Sequence, residues 1–280
     1  VNNEVTIKAN LTELLNVNRI NFTFNSVTTS MLLNSNFTNG FYSYGPSDGL
    51  ILYLPFENGS LTDLSGQGND ATNNGATQTT GKLGDAYSFN GVNNYIGVAN
   101  LIIPNNVTYV LLMKPFSLNN NRFLSQLGGN DVGDFNIRIN DAEGHIRLLR
   151  QTGVDTNYEI WATTNLKVNL NDWNYIAVNY DGTNVIFYIN GETESPSKSI
   201  GSYNYGSQGT FKIGEADSTY FNGTIDEVRV YNRSLSATEI KDLYNSQLQK
   251  VNSSNYVLEV NESDLTLGQY NYSITSNDDD

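Results

Sequence analysis

The sequence predicts an all-β protein made of nested sandwiches, and three observations lead there. Apolar residues alternate with polar ones in run after run, from Val5 and Ile7 near the start to Tyr270, Tyr272 and Ile274 near the end. The turns between central runs carry Asn, Asp and Gly, which tolerate positive φ with little strain. Helix signals gather at one place only, around Ser236.

The first 47 residues read as strands with one apolar face each: Val5 and Ile7 alternate with Thr6 and Lys8, and Ile20, Phe22 and Phe24 with Asn21, Thr23 and Asn25. After Gln247 the pattern resumes with Tyr256, Leu258 and Val260, a turn at Asn261–Asp264, and then Tyr270, Tyr272 and Ile274. Neither end can bury its apolar face alone, because two-stranded fragments are marginal. Residues 1–47 and 248–280 are therefore expected to pack on each other as one small sandwich, interrupted by a larger domain over 48–247. The spacing Leu265, Leu267, Gly268, Tyr270, Tyr272 resembles the entry to the sixth strand of immunoglobulin-like and fibronectin-type sandwiches, where a tyrosine corner often sits. Such a sandwich needs about seven strands, and the termini show fewer. Either a following domain of a tandem array completes the sheet, or a neighbour donates a strand. In the second case Glu4–Leu11, EVTIKANL, is the best-formed donor, and head-to-tail donation gives filaments.

The interior is organised around Leu170–Glu192. Tyr175, Ala177 and Asn179 face one way and Ile176, Val178 and Tyr180 the other; Val185, Phe187 and Ile189 then oppose Ile186 and Tyr188. Asp181–Asn184 and Asn190-Gly191 supply the turns. Both faces of the second strand are largely apolar, so the hairpin belongs in the middle of a sandwich. The run Trp173–Gly182, followed by Phe187–Gly191, resembles the central strands of laminin-G-like domains, the concanavalin A-like jelly rolls. Other segments agree in order: Asp48-Gly49-Leu50 with Tyr53, Pro55 and Phe56 for an opening strand, Asp63–Asn69 for a first loop, Gly84–Gly91 with Tyr95-Ile96 for the next hairpin, and Gly223–Arg233 for a closing strand. Behind that strand, Ser236 and Glu239 form a capping box, Leu235 can staple onto Ile240, and Ile240, Leu243 and Tyr244 share a face. This helix is expected to cover one edge of the sandwich.

Composition narrows the function. The chain has 280 residues and 31.0 kDa, with 15 Lys and Arg against 29 Asp and Glu, a net charge of -14 and a pI near 4.3. Nucleic acid and anionic membrane surfaces are disfavoured partners; divalent cations or basic partners are compatible. No cysteine is present, so neither a disulfide framework nor a thiolate metal site exists. No apolar run approaches the roughly 20 residues of a membrane-spanning helix. Asn10, Asn21, Asn36, Asn58, Asn106, Asn222, Asn232, Asn252, Asn261 and Asn271 each open an Asn-x-Ser/Thr triplet, compatible with glycosylation and equally with chance in an Asn-rich chain.

The concanavalin A-like resemblance includes glycoside hydrolases, which need two carboxylates at alternate positions of a concave strand. No such pattern appears: Asp226 and Glu227 are adjacent and so should point to opposite faces, and Glu192 and Glu194 lie beyond a turn. His145 follows a turn with no nucleophile suggested nearby. No catalytic residue is assigned. A Ca²⁺ site is the sharper expectation, because Asp63, Asn69 and the carbonyls between them offer several oxygens, and the resemblance brings Asp226 near. The alternative is that Asp63 and Asn69 hydrogen-bond their own loop. For carbohydrate, Tyr203, Tyr205 and Tyr220 sit beside Asn, Asp or Ser as stacking residues should; Trp161 and Trp173 read as core. The chain is thus expected to be a non-enzymatic extracellular or cell-surface protein, an adhesin or a structural unit of a layer or filament. Its partners would be copies of itself or other surface proteins. The alternative is a lectin-like module that binds glycans.

Overall fold

The computed structural model describes residues 5–11, 19–24, 27–32, 40–119, 121–127, 134–151, 157–202, 209–250, 256–262 and 272–277. The central hairpin forms as its alternation requires. Asn174–Tyr180 and Val185–Ile189 pair antiparallel, with Tyr180 opposite Val185 and Ile176 opposite Ile189. Gly182 takes φ 94° in the first turn, and Asn190 and Gly191 take 52° and 88° in the second. Ile176, Val178, Tyr180, Val185, Phe187 and Ile189 point into one buried core, whereas Tyr175, Ala177 and Tyr188 belong to another. Period two here separates two cores rather than core from water, which is why both faces read as apolar.

The hairpin lies in an eight-stranded sheet that runs Glu192–Glu194, Val185–Ile189, Asn174–Tyr180, Val107–Pro115, Asn222–Tyr231, Asp85–Asn90, Thr77–Thr80, with Leu50–Leu54 paired to the later half of Asn222–Tyr231. A second eight-stranded sheet runs Ser199–Ser202, Asn157–Lys167, His145–Gln151, Phe135–Ile139, Arg122–Gln126, Phe211–Ile213, Tyr95–Val98, Ala71–Asn74. Their inner faces share the larger core, which includes Leu111, Ile137, Leu148, Trp161, Val178 and Val230. Asp85–Asn90 and Tyr95–Val98, expected as one hairpin, belong to different sheets, and Gly91 at φ 72° turns the chain across the core. Phe89 and Ile96 are buried either way, so alternation could not distinguish a hairpin from a crossing.

The terminal segments form two smaller sheets. Val5–Leu11 pairs with Tyr256–Glu262, which pairs with Ser246–Lys250, which pairs with Gly40–Ser43; Tyr272–Asn277 pairs with Arg19–Phe24, which pairs with Val27–Leu32. Met31 of the second shares a buried cluster with Ile7, Leu258 and Val260 of the first, a cluster that also takes in Tyr53, Val110 and Tyr175 of the first eight-stranded sheet. Among the described residues these sheets have four strands and three, and their order is not the immunoglobulin-like one, since the first of these strands pairs with the sixth rather than the second. The donor-strand expectation is corrected as well. Val5–Leu11 of that stretch is already paired within its own chain, from Val5 opposite Glu262 to Leu11 opposite Tyr256.

The helix α1, Ala237–Asn245, starts at the expected capping box, with Ser236 accepting from the Glu239 N–H and Glu239 accepting from the Ser236 N–H. It covers the outer face of the first sheet rather than an edge. From one mid-sheet strand, Asn174–Tyr180, Tyr175 donates its hydroxyl to the Ile240 carbonyl at 3.2 Å and Asn179 donates to the Leu235 carbonyl at 2.7 Å. Leu235, Ile240 and Leu243 bury their side chains there.

Candidate binding site

The closing strand carries one residue too many for its neighbour. Val110 lies opposite Arg229 and Leu112 opposite Asp226, so Glu227 and Val228 together face Leu111. Glu227 absorbs the mismatch at φ 54°, as the extra residue of a β-bulge does. The consequence corrects strict alternation. Val228 stays in the inner core, whereas Asp226, Glu227 and Arg229 all lie on the outer face, beneath α1.

These three are buried ionisable groups with assigned partners. Asp226 Oδ2 accepts the N–H groups of Lys82 at 2.9 Å and Leu83 at 3.0 Å. Burial, and then the neighbouring Glu227, push its carboxyl well above the usual carboxylate range, against the pull of those two amides. Glu227 Oε2 accepts the Tyr53 hydroxyl at 2.9 Å and lies 4.0 Å from Arg229. The Arg229 guanidinium stacks 3.7 Å from the centre of the Tyr53 ring and donates to the Tyr231 hydroxyl at 3.4 Å. Burial opposes its charge, and Tyr53, Tyr231 and Glu227 more than offset that.

Above this cluster, between the sheet and the end of α1, lies a pocket of about 290 Å³ lined by Trp173, Tyr244, Leu112, Lys82, Asn190 and Glu227 among others. Trp173, read from sequence as a core residue, is half-buried and lines this pocket, because it precedes the first paired residue of its strand. Trp161 is the tryptophan that fills the core. Tyr244 is 44% exposed and packs its ring 5.2 Å from that of Tyr175. Asn190 holds the adjoining turn, accepting the Tyr175 N–H at 2.9 Å and donating to Asn174 at 3.1 Å. The rings of Trp173, Tyr175 and Tyr244, a cation and a carboxylate thus converge on one concave space, the arrangement that receives a ring with one apolar face and several hydroxyls. Among the described residues Glu227 is the one carboxylate in its wall, and hydrolysis of a glycosidic bond needs two.

The residues singled out in the sequence fall elsewhere. Asp63 is buried and fully engaged: Oδ1 accepts from the Tyr53 and Ser65 N–H groups, and Oδ2 from the Ser65 hydroxyl and the Asn69 N–H. Asn69 donates its amide to the Ile51 carbonyl. Donors fill this loop where a cation would need oxygens, Asp63 and Asp226 share no hydrogen-bond partner, and no cluster of three metal-ligating side chains occurs among the described residues. This set does not fit Ca²⁺. Tyr220 is half-buried opposite Glu215 on a short hairpin, while Tyr203 and Tyr205 lie outside the described residues. His145 bonds Asp141 at 2.8 Å and the Thr164 carbonyl at 3.1 Å. Of the sequons, Asn10, Asn58, Asn106 and Asn232 are exposed and Asn222 half-buried; Asn21 and Asn261 lie in strands, and Asn36, Asn252 and Asn271 are outside the described residues. No described helix is long and apolar enough to cross a membrane.

No curated protein matches the sequence. Among solved structures, domain 4 of AbnA, a GH43 extracellular arabinanase from Geobacillus stearothermophilus in complex with arabinotriose, is 22% identical over 74% of this chain and 100% of its own, with a TM-score of 0.50. The binding domain of Paraclostridial Mosquitocidal Protein 1 is 16% identical over 71% of this chain and 52% of its own, TM-score 0.55. The binding domain of botulinum neurotoxin DC in complex with rat synaptotagmin II is 12% identical, with coverage of 71% and 52% and a TM-score of 0.53. The chain thus spans the whole arabinanase domain and about half of each toxin structure, and at these identities the likeness is one of fold. Residues 89–241, more than half of the sequence, match the family model directly, and the chain belongs to the concanavalin A-like lectin/glucanases superfamily.

Proposed function

We propose that the chain is a lectin-like binding module that takes a glycan in the pocket between Trp173 and Tyr244, without catalysis and outside the cell. The observation that carries this is the pairing of those rings with Lys82 and Glu227 around one concave space. Stacking on the rings would hold a sugar's apolar face, and the two charged groups would order its hydroxyls. The fold neighbours support it too: the arabinanase domain is seen with arabinotriose, and the toxin structures are binding domains, one with a protein receptor. An adhesive role at a surface would follow from such binding. The filament reading loses its support once Val5–Leu11 is paired in its own chain.

A glycan array followed by calorimetry on the best ligand tests the proposal. Trp173→Ala and Tyr244→Ala should each weaken binding by about 30-fold, the effect of losing an anchor residue worth roughly 2 kcal/mol. Binding to no glycan, or affinity unchanged in both variants, refutes it.

A further inference from the structure

Two lysines border the Trp173 pocket on the outer face of the first sheet. Lys82 is exposed and lines the wall. Lys114 comes to the same place from the sheet: Leu111 and Met113 point into the inner core, so Leu112 and Lys114 point out, and Leu112 is itself in the wall. Met113 lies opposite Asn174, which makes Lys114 and Trp173 the next residues on the two strands. Elsewhere Lys167, Lys198 and Lys212 each meet a carboxylate of the chain, from Glu143, Glu159 and Glu215. Among the described residues the side chains of Lys82 and Lys114 make neither an ion pair nor a hydrogen bond. Acids outnumber bases in this chain by 29 to 15, so two unanswered cations beside one pocket are not a by-product of composition.

Lys82 is held at the pocket by its backbone. Its N–H donates to Asp226 Oδ2 at 2.9 Å, and its turn closes through the Gly81 N–H on the Gly84 carbonyl at 2.9 Å. Glycine is required at both ends, because a Cβ on Gly81 would strike Asp226 Oδ2, and Gly84 takes φ 50° with Glu57 packed against it. The acids nearby are engaged elsewhere. Asp226 is 0% exposed and turned onto the Lys82 and Leu83 amides, while Glu227 accepts the Tyr53 hydroxyl at 2.9 Å and lies 4.0 Å from Arg229. Asp172 accepts the N–H of Trp173 at 2.8 Å. The charge that the pocket offers a ligand is therefore positive.

Resting on the glycan reading of this pocket, we infer that its sugar is acidic: a uronate that stacks its ring on Trp173 and presents its carboxylate to the ammonium groups of Lys82 and Lys114. Repulsion by Glu227 turns that carboxylate toward the lysines, which fixes the direction in which the ring lies. An ammonium on a flexible stem carries three rotatable donors, so two of them can meet one carboxylate without a preset plane. A single carboxylate suits the chain better than a polyanion. Local contacts act within the Debye length of about 8 Å, whereas a nucleic acid or heavily sulfated chain would meet the protein's whole negative field.

The test is calorimetry on the full chain at low ionic strength, with disaccharides of glucuronic, galacturonic and mannuronic acid, each beside its neutral methyl ester. At least one acid should bind about fivefold or more tightly than its ester, the effect of two exposed ion pairs, and this preference should shrink as salt rises. Lys82→Gln and Lys114→Gln should each cut the preference about twofold or more, and the double variant should abolish it. Trp173→Ala should weaken acid and ester alike. A neutral glycan that binds through Trp173, with no acid preferred to its ester, overturns the uronate and leaves the glycan reading standing; binding of no glycan at all overturns both. A folded double variant that keeps the parent's preference overturns the uronate site as well, because the carboxylate is then met elsewhere.

Discussion

Removing the Glu227 carboxylate while leaving its shape tests the account of the outer face. Glu227 is 2% exposed and Arg229 1%. In Glu227→Gln the amide oxygen can still accept the Tyr53 hydroxyl, which sits 2.9 Å away, so packing and that hydrogen bond survive. The Arg229 guanidinium then keeps its stacking on Tyr53 and its bond to Tyr231 but loses the carboxylate 4.0 Å away. Removing one member of a buried charge pair costs about 3–5 kcal/mol. At about 2–4 °C per kcal/mol for a domain of this size, the melting temperature should fall by roughly 6–20 °C. Arg229→Met should cost a similar amount, because it breaks the same pair from the other side. The double variant should cost clearly less than the sum, since no buried charge of the pair remains. Urea denaturation of the four proteins gives the coupling energy. A single-variant cost below about 1 kcal/mol, or strict additivity, would show that the charges are solvated and the description of this face is mistaken.

Two further predictions concern carboxylates nearby. Burial, then Glu227, raise the Asp226 carboxyl in the folded state, so the folded protein holds a proton that the unfolded chain releases near pH 4. Its contribution to stability is therefore complete below that pH and is lost as pH rises through the folded value, at up to about 1.4 kcal/mol per pH unit. Asp226→Asn can keep an oxygen for the Lys82 and Leu83 amides; it should flatten that slope and melt higher than the parent at pH 8, and a variant that melts lower there contradicts the assignment. Asp63→Ala should cost at least about 1–3 kcal/mol by stranding the buried Tyr53 amide, with EDTA leaving the parent's melting curve unchanged. A fall in melting temperature on chelation would return Asp63 to the role of metal ligand.

Much of the fold was legible because local chemistry and global placement agree. The Asn174–Ile189 hairpin reads correctly on both faces, since each side chain meets one of two cores and period two is kept throughout. The cap of α1 reads correctly because Ser236 and Glu239 satisfy each other within one turn. What failed needed information from distant segments. Nothing in Gly40–Ser43 or Ser246–Lys250 marks a strand; each is ordered by its partners, Tyr42 opposite Leu248 and Leu248 opposite Leu258. Placing α1 on an edge failed for a related reason: its seat is made by Tyr175 and Asn179, whose outward polar groups find the helix and its entry only in three dimensions.

The site was hidden by a single residue. Reading Asn222–Tyr231 by strict alternation sends Asp226 and Glu227 to opposite faces, and that step entered the inference that a carboxylate pair is lacking. The bulge at Glu227 puts both carboxylates on one side without making a hydrolase, because Asp226 is turned down onto the Lys82 and Leu83 amides and Glu227 alone reaches the pocket wall. A weak signal was present: ten residues with apolar Ile225, Val228 and Val230 spaced three and then two apart, a slip in period that a bulge explains and an unbroken strand does not. The same slip sets Glu227 beside Arg229 and Tyr53, and so joins the stability of the outer face to the one wall of the pocket that carries charge fixed in the sheet.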